Sequence, residues 1–307
     1  MSKLQLTASF GDYSHTRSLK NGTSVSPRIN FEHINITPVT SIFRRMVREY
    51  EFDLSEMALS TYLCARSHGK KFSGIPIFLT RSFYHGGIAY SVNSGIESVS
   101  DLNGRRIGVR GYTVTPGVWT RGMLQTVYGI DLTSVTWVLS GDEHVEEYEP
   151  PSNVISSDNH NLIDMLRSGE IDAAIGVGPT DDSNIMPLFT NPHELDRRWF
   201  EDTGIYPISH MLVIRDEQLD KNPWIAQEVF NLFLEAKEEC VRRLKDREHI
   251  YPEDEWLINL SSIVGSDPLP YGLDSSLATL NTFINFNVEQ EVIPEAVNVD
   301  DIFIRVN

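Results

Sequence analysis

The chain has 307 residues, 40% of them hydrophobic, and a formal net charge of −17. That length and apolar content suffice to bury real cores without disulfides or metals. The acidic balance excludes nucleic acid as a partner and disfavours an anionic membrane surface, yet a few arginines can still make one cleft positive. Only Cys64 and Cys240 are present, far apart and without metal-ligand spacing, so no disulfide framework is expected. No stretch is apolar enough to span a bilayer. The first residues, MSKLQLTASFGDYSHTR, contain no apolar export core, so a cytoplasmic setting is expected.

Alternating apolar positions predict a strand at Leu4–Ser9, closed by Gly11, Asp12 and Ser14, and a second strand over 28–36. Thr37 and Pro38 read as a helix cap and first helical residue, followed by Ile42, Phe43, Met46 and Val47 at helical spacing. A short strand around Leu54, a helix over 60–66 and a buried strand over 75–79 complete this run. The alternation then repeats. Strands are predicted over 88–92, 106–109, 135–139 and 171–177, with helices at Thr115–Tyr128 and over 161–167, the latter stopped by Gly169. The acidic segment 142–161, with GDEHVEEYEPPSN at its start, reads as a surface loop. A long amphipathic helix is predicted over 223–248 and another over 273–287.

Strands alternating with helices imply α/β layers with largely parallel sheets. The boundaries suggest a first lobe over 1–82, a second over 83–208, and a return to the first over 209–307. The expected fold is therefore α/β and two-lobed, with mixed, mostly parallel sheets and a ligand cleft between the lobes.

Several segments carry a family resemblance. SVSDLNGRRIGV, a threonine-rich loop with a helix, and LIDMLRSGEIDAAIGV resemble the second lobe of type 2 periplasmic binding proteins. FDLSEMALSTYL, IPIFLTRSFYH, GYTVTPGVWTRGML, SHMLVI and DPLPYG, spread over almost the whole chain, resemble the 4,5-dihydroxyphthalate decarboxylases, cytoplasmic enzymes on that fold. The chain departs from the family pattern at Tyr84 and after Gly272. The resemblance implies decarboxylation of a hydroxylated phthalate-like dicarboxylic acid, such as 4,5-dihydroxyphthalate to protocatechuate and CO2, by protonation of a ring carbon.

Such a substrate needs carboxylate binders. Arg81, Arg110 and Arg121 offer planar forks, the first two just after predicted strands, where ligands of open α/β sheets bind. Thr113 and Thr115 precede a helix whose N-terminal N–H groups attract an anion. Trp119 is a candidate for stacking on the ring. Carbon dioxide leaves an electron pair on a ring carbon, so a proton donor is required. His85 and His210 are the leading candidates, with His15 in the first strand's exit loop and Glu56 to orient a phenol or raise a histidine's pKa. No cofactor is expected. A divalent metal on His15, Glu56, His85 and His210 is the minority alternative, because their spacing matches no ligand motif. The partner expected is a small aromatic carboxylate, and self-association is compatible with the sequence. The rival reading is a non-catalytic solute-binding protein for a small anion. A thiamine-precursor enzyme on the same fold ranks below both.

Overall fold

A computed structural model describes residues 2–306. It divides into two compact units. Unit 1 runs to Ser82, resumes over Gly204–Asn281 and takes up the chain again from Val297; unit 2 is Phe83–Thr203 with Thr282–Ala296.

The first segment carries β1 (Leu4–Ser9), α1 (Arg17–Lys20), β2 (Ile29–His33), α2 (Thr40–Glu49), β3 (Leu54–Ala58), α3 (Leu59–Ser67) and β4 (Phe72–Arg81). The second carries β5 (Ile88–Ser91), β6 (Arg106–Val109), α4 (Thr115–Tyr128), β7 (Thr136–Leu139) and β8 (Val154–Ser156). It continues with α5 (Leu162–Ser168), β9 (Ala173–Ile175), β10 (Ile185–Pro187) and α6 (Pro192–Thr203). The remainder carries β11 (Ile208–Arg215), α7 (Asp216–Lys221), α8 (Ile225–Lys245), α9 (Glu255–Val264), α10 (Leu277–Glu289) and α11 (Val299–Ile302).

Unit 1 is built on a sheet of order β2-β1-β3-β11-β4. β1, β2 and β3 are parallel, and β11 runs antiparallel to both β3 and β4. The C-terminal ends of β1, β3 and β4 therefore share one end of the sheet with the N-terminal end of β11. Leu6, Leu54, Ile77, Leu212 and Ile214 bury one apolar layer with Val229 and Phe233 of α8. Each such side chain contributes about 1.5–3 kcal/mol on burial.

Unit 2 has the order β10-β5-β9-β6-β7-β8. β9, β6, β7 and β8 are parallel, and β5 turns antiparallel to β9. α5 starts where predicted, because the Asn161 side chain accepts from the Ile163 and Asp164 amides. It stops at Gly169, whose φ of 72° suits glycine.

Three expectations are corrected. The acidic segment is no free surface loop: His144 and Val145 are buried, and β8 within it pairs with β7. Unit 1 resumes at Gly204 rather than at 209. Residues 282–296 belong with unit 2 rather than returning with the rest of the C-terminal chain. Aromatic packing explains the last point, since Phe283 stacks on Trp119 at 4.5 Å and Phe286 meets Trp119 edge-on at 5.8 Å.

Gly122 on α4 permits that packing, because a Cβ there would lie 2.2 Å from Cδ2 of Phe286. A rigid ring edge cannot yield as a flexible side-chain tip does. Gly122→Ala is expected to destabilise the protein by about 1–3 kcal/mol through overpacking, measured as a lower urea midpoint at unchanged m. An unchanged midpoint would show that the helix pair can slide apart without cost.

Candidate functional site

The functional side chains of unit 1 gather where β1, β3 and β4 end and β11 begins. Glu56, on β3, is fully buried. A buried carboxylate must be met by donors, and two segments supply three of them. The Gly11 amide donates to Oε2 at 2.7 Å, and the Tyr13 hydroxyl donates to Oε1 at 2.7 Å. Nδ1 of His210 stands 2.6 Å from the same Oε1. Gly11 lets Tyr13 fold back, since a Cβ there would meet the tyrosine ring at 2.6 Å. The pairing of β11 with β4 shifts register on either side of His210, and irregularities of this kind re-aim a strand's side chains.

This arrangement defines the chemistry. Burial pushes the Glu56 carboxyl up, but the hydrogen bonds and charge of His210, together with Tyr13 and the Gly11 amide, outweigh it and hold the pKa below its ordinary value. Glu56 is therefore anionic at neutral pH. Nδ1–H of His210 donates to it, which directs Nε2 away from the pair. His210 keeps 19% of its side chain exposed while Glu56 keeps none, so the histidine is the member that can reach a ligand. A histidine oriented by a buried carboxylate is a general acid–base group. Burial, with the Glu56 charge, raises the Tyr13 phenol far above its ordinary value, so it stays a donor.

His15 joins this group, stacked parallel on Tyr13 at 5.3 Å with Trp256 edge-on at 6.3 Å. Both its ring nitrogens are buried without a hydrogen-bond partner. Burial pushes its pKa down to about 3; Lys237 acts in the same sense, while Glu56 and, outside hydrogen-bond geometry, the Leu79 carbonyl oppose it. His15 is neutral at physiological pH.

Arg81, at the end of β4, is buried and turned into the protein. Its Nη1 donates to the Tyr206 carbonyl at 2.8 Å, and its Nη2 to the Pro270 carbonyl at 3.1 Å and the Ser276 hydroxyl at 2.5 Å. Burial lowers its pKa to about 10, against Tyr206, Asp267 and Tyr271, so it remains cationic. The open fork expected from the sequence is thus closed on the chain itself; Nε alone lacks a partner.

The other candidates lie in unit 2. His85, in a 3-10 turn after β4, places Nδ1 2.6 Å from Asp196 of α6 and packs against Phe189 and Tyr128. It forms a second histidine–carboxylate pair, separate from that of His210. Arg110 follows β6, with Nη2 3.0 Å from Nε2 of His144. Arg121 is fully buried. Its Nε donates to Gln290 at 2.7 Å and its Nη2 to the Tyr112 carbonyl at 2.6 Å, with Nη1 unpartnered. Trp119 is 1% exposed and stacks on Phe283, so it serves the core rather than a ligand ring. Thr115 is buried at the start of α4. Thr113 donates its amide and hydroxyl to Glu143.

Tyr13, Asp196 and Glu143 were not singled out in the sequence. Tyr13 stands two residues before His15 in the same exit loop, a usable signal. Asp196 sits on α6 beside Leu195, Trp199 and Phe200, whose helical spacing is a usable signal. The proposed four-residue metal set is split, because His85 pairs with Asp196 in unit 2. Among the described residues no three His, Cys, Asp or Glu side chains are arranged to hold a metal ion, and no helix is long and apolar enough to cross a membrane.

Comparison with known proteins fits this geometry. The chain is 29% identical over 305 residues to a 4,5-dihydroxyphthalate decarboxylase of Comamonas testosteroni, covering 92% of this chain and 91% of that protein. It is 35% identical over 185 residues to a 4,5-dihydroxyphthalate decarboxylase of Pseudomonas putida, covering 57% of this chain and 71% of that protein. No family model matches. Among solved structures, the periplasmic aliphatic sulphonate binding protein SsuA of Escherichia coli aligns with a TM-score of 0.57 at 13% identity, over 99% of this chain and 93% of that one. The fold is that of the periplasmic binding proteins.

The buried neutral His15 makes stability depend on pH. Below the ordinary value of 6.5 the unfolded chain takes up a proton that the native His15 refuses until about pH 3. Stability therefore falls as pH drops through that window, by at most ~1.4 kcal/mol per pH unit from this proton. Glu56 adds loss of the same sign only below its ordinary 4.5, and half-buried His33 titrates alike in both proteins compared. Urea unfolding of wild type and His15→Gln from about pH 6 to about pH 5 should show a shallower slope in the variant. Equal slopes would mean that His15 takes up its proton in the folded state.

Proposed function

The chain belongs to the 4,5-dihydroxyphthalate decarboxylase family, and we propose that it is a carboxy-lyase whose proton donor is His210 held by Glu56. The observation that carries this is the 2.6 Å contact between His210 Nδ1 and a fully buried, donor-saturated carboxylate. The substrate class is a small aromatic dicarboxylate bearing ring hydroxyls, with 4,5-dihydroxyphthalate as its model.

The reaction follows from the ring. Each carboxylate-bearing carbon of 4,5-dihydroxyphthalate stands para to a hydroxyl. That oxygen pushes electron density to the carbon, which takes a proton from Nε2 of a protonated His210. The C–C bond to the carboxylate then breaks, carbon dioxide departs with no charge, and its bonding pair restores aromaticity. One proton in and one CO2 out give protocatechuate. His210 is reprotonated from water, the net source of the one proton consumed. The substrate's own phenol supplies the electron push, so the reaction is written without a cofactor. Glu56 stabilises the imidazolium and fixes the ring's direction, and Tyr13 holds Glu56. Within unit 2, Arg110, Thr113, Thr115 and Arg121 supply positive charge and amides of the kind that bind carboxylates. His85 with Asp196 is a second proton-handling pair. Two buried cysteines, neither in a disulfide, support a cytoplasmic setting.

Incubation with 4,5-dihydroxyphthalate should release carbon dioxide and protocatechuate in equal amounts, followed by chromatography and gas detection. In D2O the product should carry one deuterium on the carbon that lost the carboxylate. His210→Asn is expected to lower kcat by about 10²–10⁴-fold while leaving the affinity for phthalate within about threefold. Glu56→Gln should lower kcat less and shift the alkaline limb of its pH profile, where a proton donor is lost. A His210→Asn variant with near-normal kcat would remove the proton-donor assignment. Tight binding of hydroxylated phthalates with no turnover by the wild type would instead identify a solute-binding protein.

A further inference from the structure

Glu143 lies in the acidic segment after β7, and nothing in the reaction above employs it. β6 and β7 are parallel neighbours, so the loops leaving their C-terminal ends emerge side by side. The Glu143 carboxylate is consequently enclosed by the turn before α4. The Tyr112 amide and the Thr113 hydroxyl donate to it. The Thr113 amide lies 3.3 Å from Oε1 and 3.2 Å from Oε2. Gly111 leaves the space, because a Cβ there would come within 3.3 Å of Oε1.

A second observation points to the same place. Arg121, fully buried, holds the Tyr112 carbonyl through Nη2 at 2.6 Å and lies 3.9 Å from the centre of the Tyr112 ring. Its Nη1 has no partner and reaches the first turn of α4, where a Cβ on Gly117 would stand 3.2 Å from it. A buried cation with an unused donor thus underlies a turn whose amides already hold a carboxylate. Backbone N–H groups at a helix start bind any carboxylate of suitable shape.

We infer that Glu143 is a built-in competitor: its carboxylate fills the cradle of Tyr112 and Thr113 that receives a carboxylate of the aromatic acid, and ligand binding requires Glu143 to leave. This rests on the reading of the ligand as an aromatic dicarboxylate. A tethered competitor acts at high effective concentration. It weakens apparent affinity by the fraction of molecules in which the cradle is filled. Glu143 thereby sets a threshold: every carboxylate that uses the cradle loses the same factor in apparent affinity, so a ligand needs further contacts with the protein to bind at a given concentration.

Phthalate is the probe, since it lacks the hydroxyls that the proposed reaction needs and reports binding alone. Calorimetric titration of the full chain should show Glu143→Ala binding phthalate roughly tenfold tighter than wild type or more. Glu143→Gln, which keeps an acceptor but loses the charge, should fall between. Benzoate should gain by the same factor as phthalate in Glu143→Ala, and adding Thr113→Val should cancel the gain. If both variants keep the wild-type melting temperature and bind phthalate equally or more weakly, Glu143 is a structural staple and the inference fails. Should Glu143→Ala not fold, Glu143→Gln decides by the same criterion. Tighter phthalate binding without decarboxylation by any form would sink the proposed reaction and leave this inference standing. Normal decarboxylation with no gain in either variant would do the reverse.

Discussion

The burial of one negative charge organises unit 1. Glu56 sits on a strand whose five residues are all buried, where an unpaired carboxylate would be driven to the neutral form. It stays anionic because the exit loop of β1, through Gly11 and Tyr13, and the start of β11, through His210, converge on it. Those two segments are far apart in the chain. Their meeting at Glu56 fixes how the returning strand docks in the sheet and which way its histidine points. Stability and chemistry thus share one set of hydrogen bonds, and removing any donor costs both.

The buried arginines show the other use of charge in this molecule. Arg81 ties the end of β4 to the carbonyls of Tyr206 and Pro270. Arg121 ties α4 to Gln290 and to the Tyr112 carbonyl. Each guanidinium has too many donors to be buried without acceptors, so the chain folds its own carbonyls around it. An arginine can hold a turn's backbone in this way, as Arg121 does at the Tyr112 carbonyl.

Sheet topology explains why these groups gather where they do. In unit 1 three parallel strand ends and the start of an antiparallel strand share one end of the sheet, so side chains from four segments can meet. In unit 2 the parallel pair β6 and β7 brings Thr113 and Glu143 together. Both are instances of the rule that open α/β sheets present their chemistry at the carboxyl ends of their strands. The same fold occurs in a periplasmic aliphatic sulphonate binding protein, so the fold alone does not decide the function.

Much of this was legible in the sequence because it depends on local order. Apolar periodicity marks β1, β4, β6, α4 and α8 within a few residues, and Asn161 with Gly169 brackets α5, since capping and turn chemistry act over three or four residues. His15, Arg81 and His210 stand out from their places beside predicted strand ends, and Glu56 from the motif LSEMA. What they touch was not legible. Whether His210 meets Glu56 depends on a pairing between strands about 150 residues apart, and the Asp196 partner of His85 is more than 100 residues away in sequence. Trp119 looked free to stack on a ligand until Phe283, brought to it by long-range packing, covered it. The sequence by itself determined the alternating elements and the supply of acids, bases and cations. Tertiary structure alone decided which charges are buried and which donors meet them, because burial and hydrogen-bond partnership are properties of segments brought together, not of any one segment.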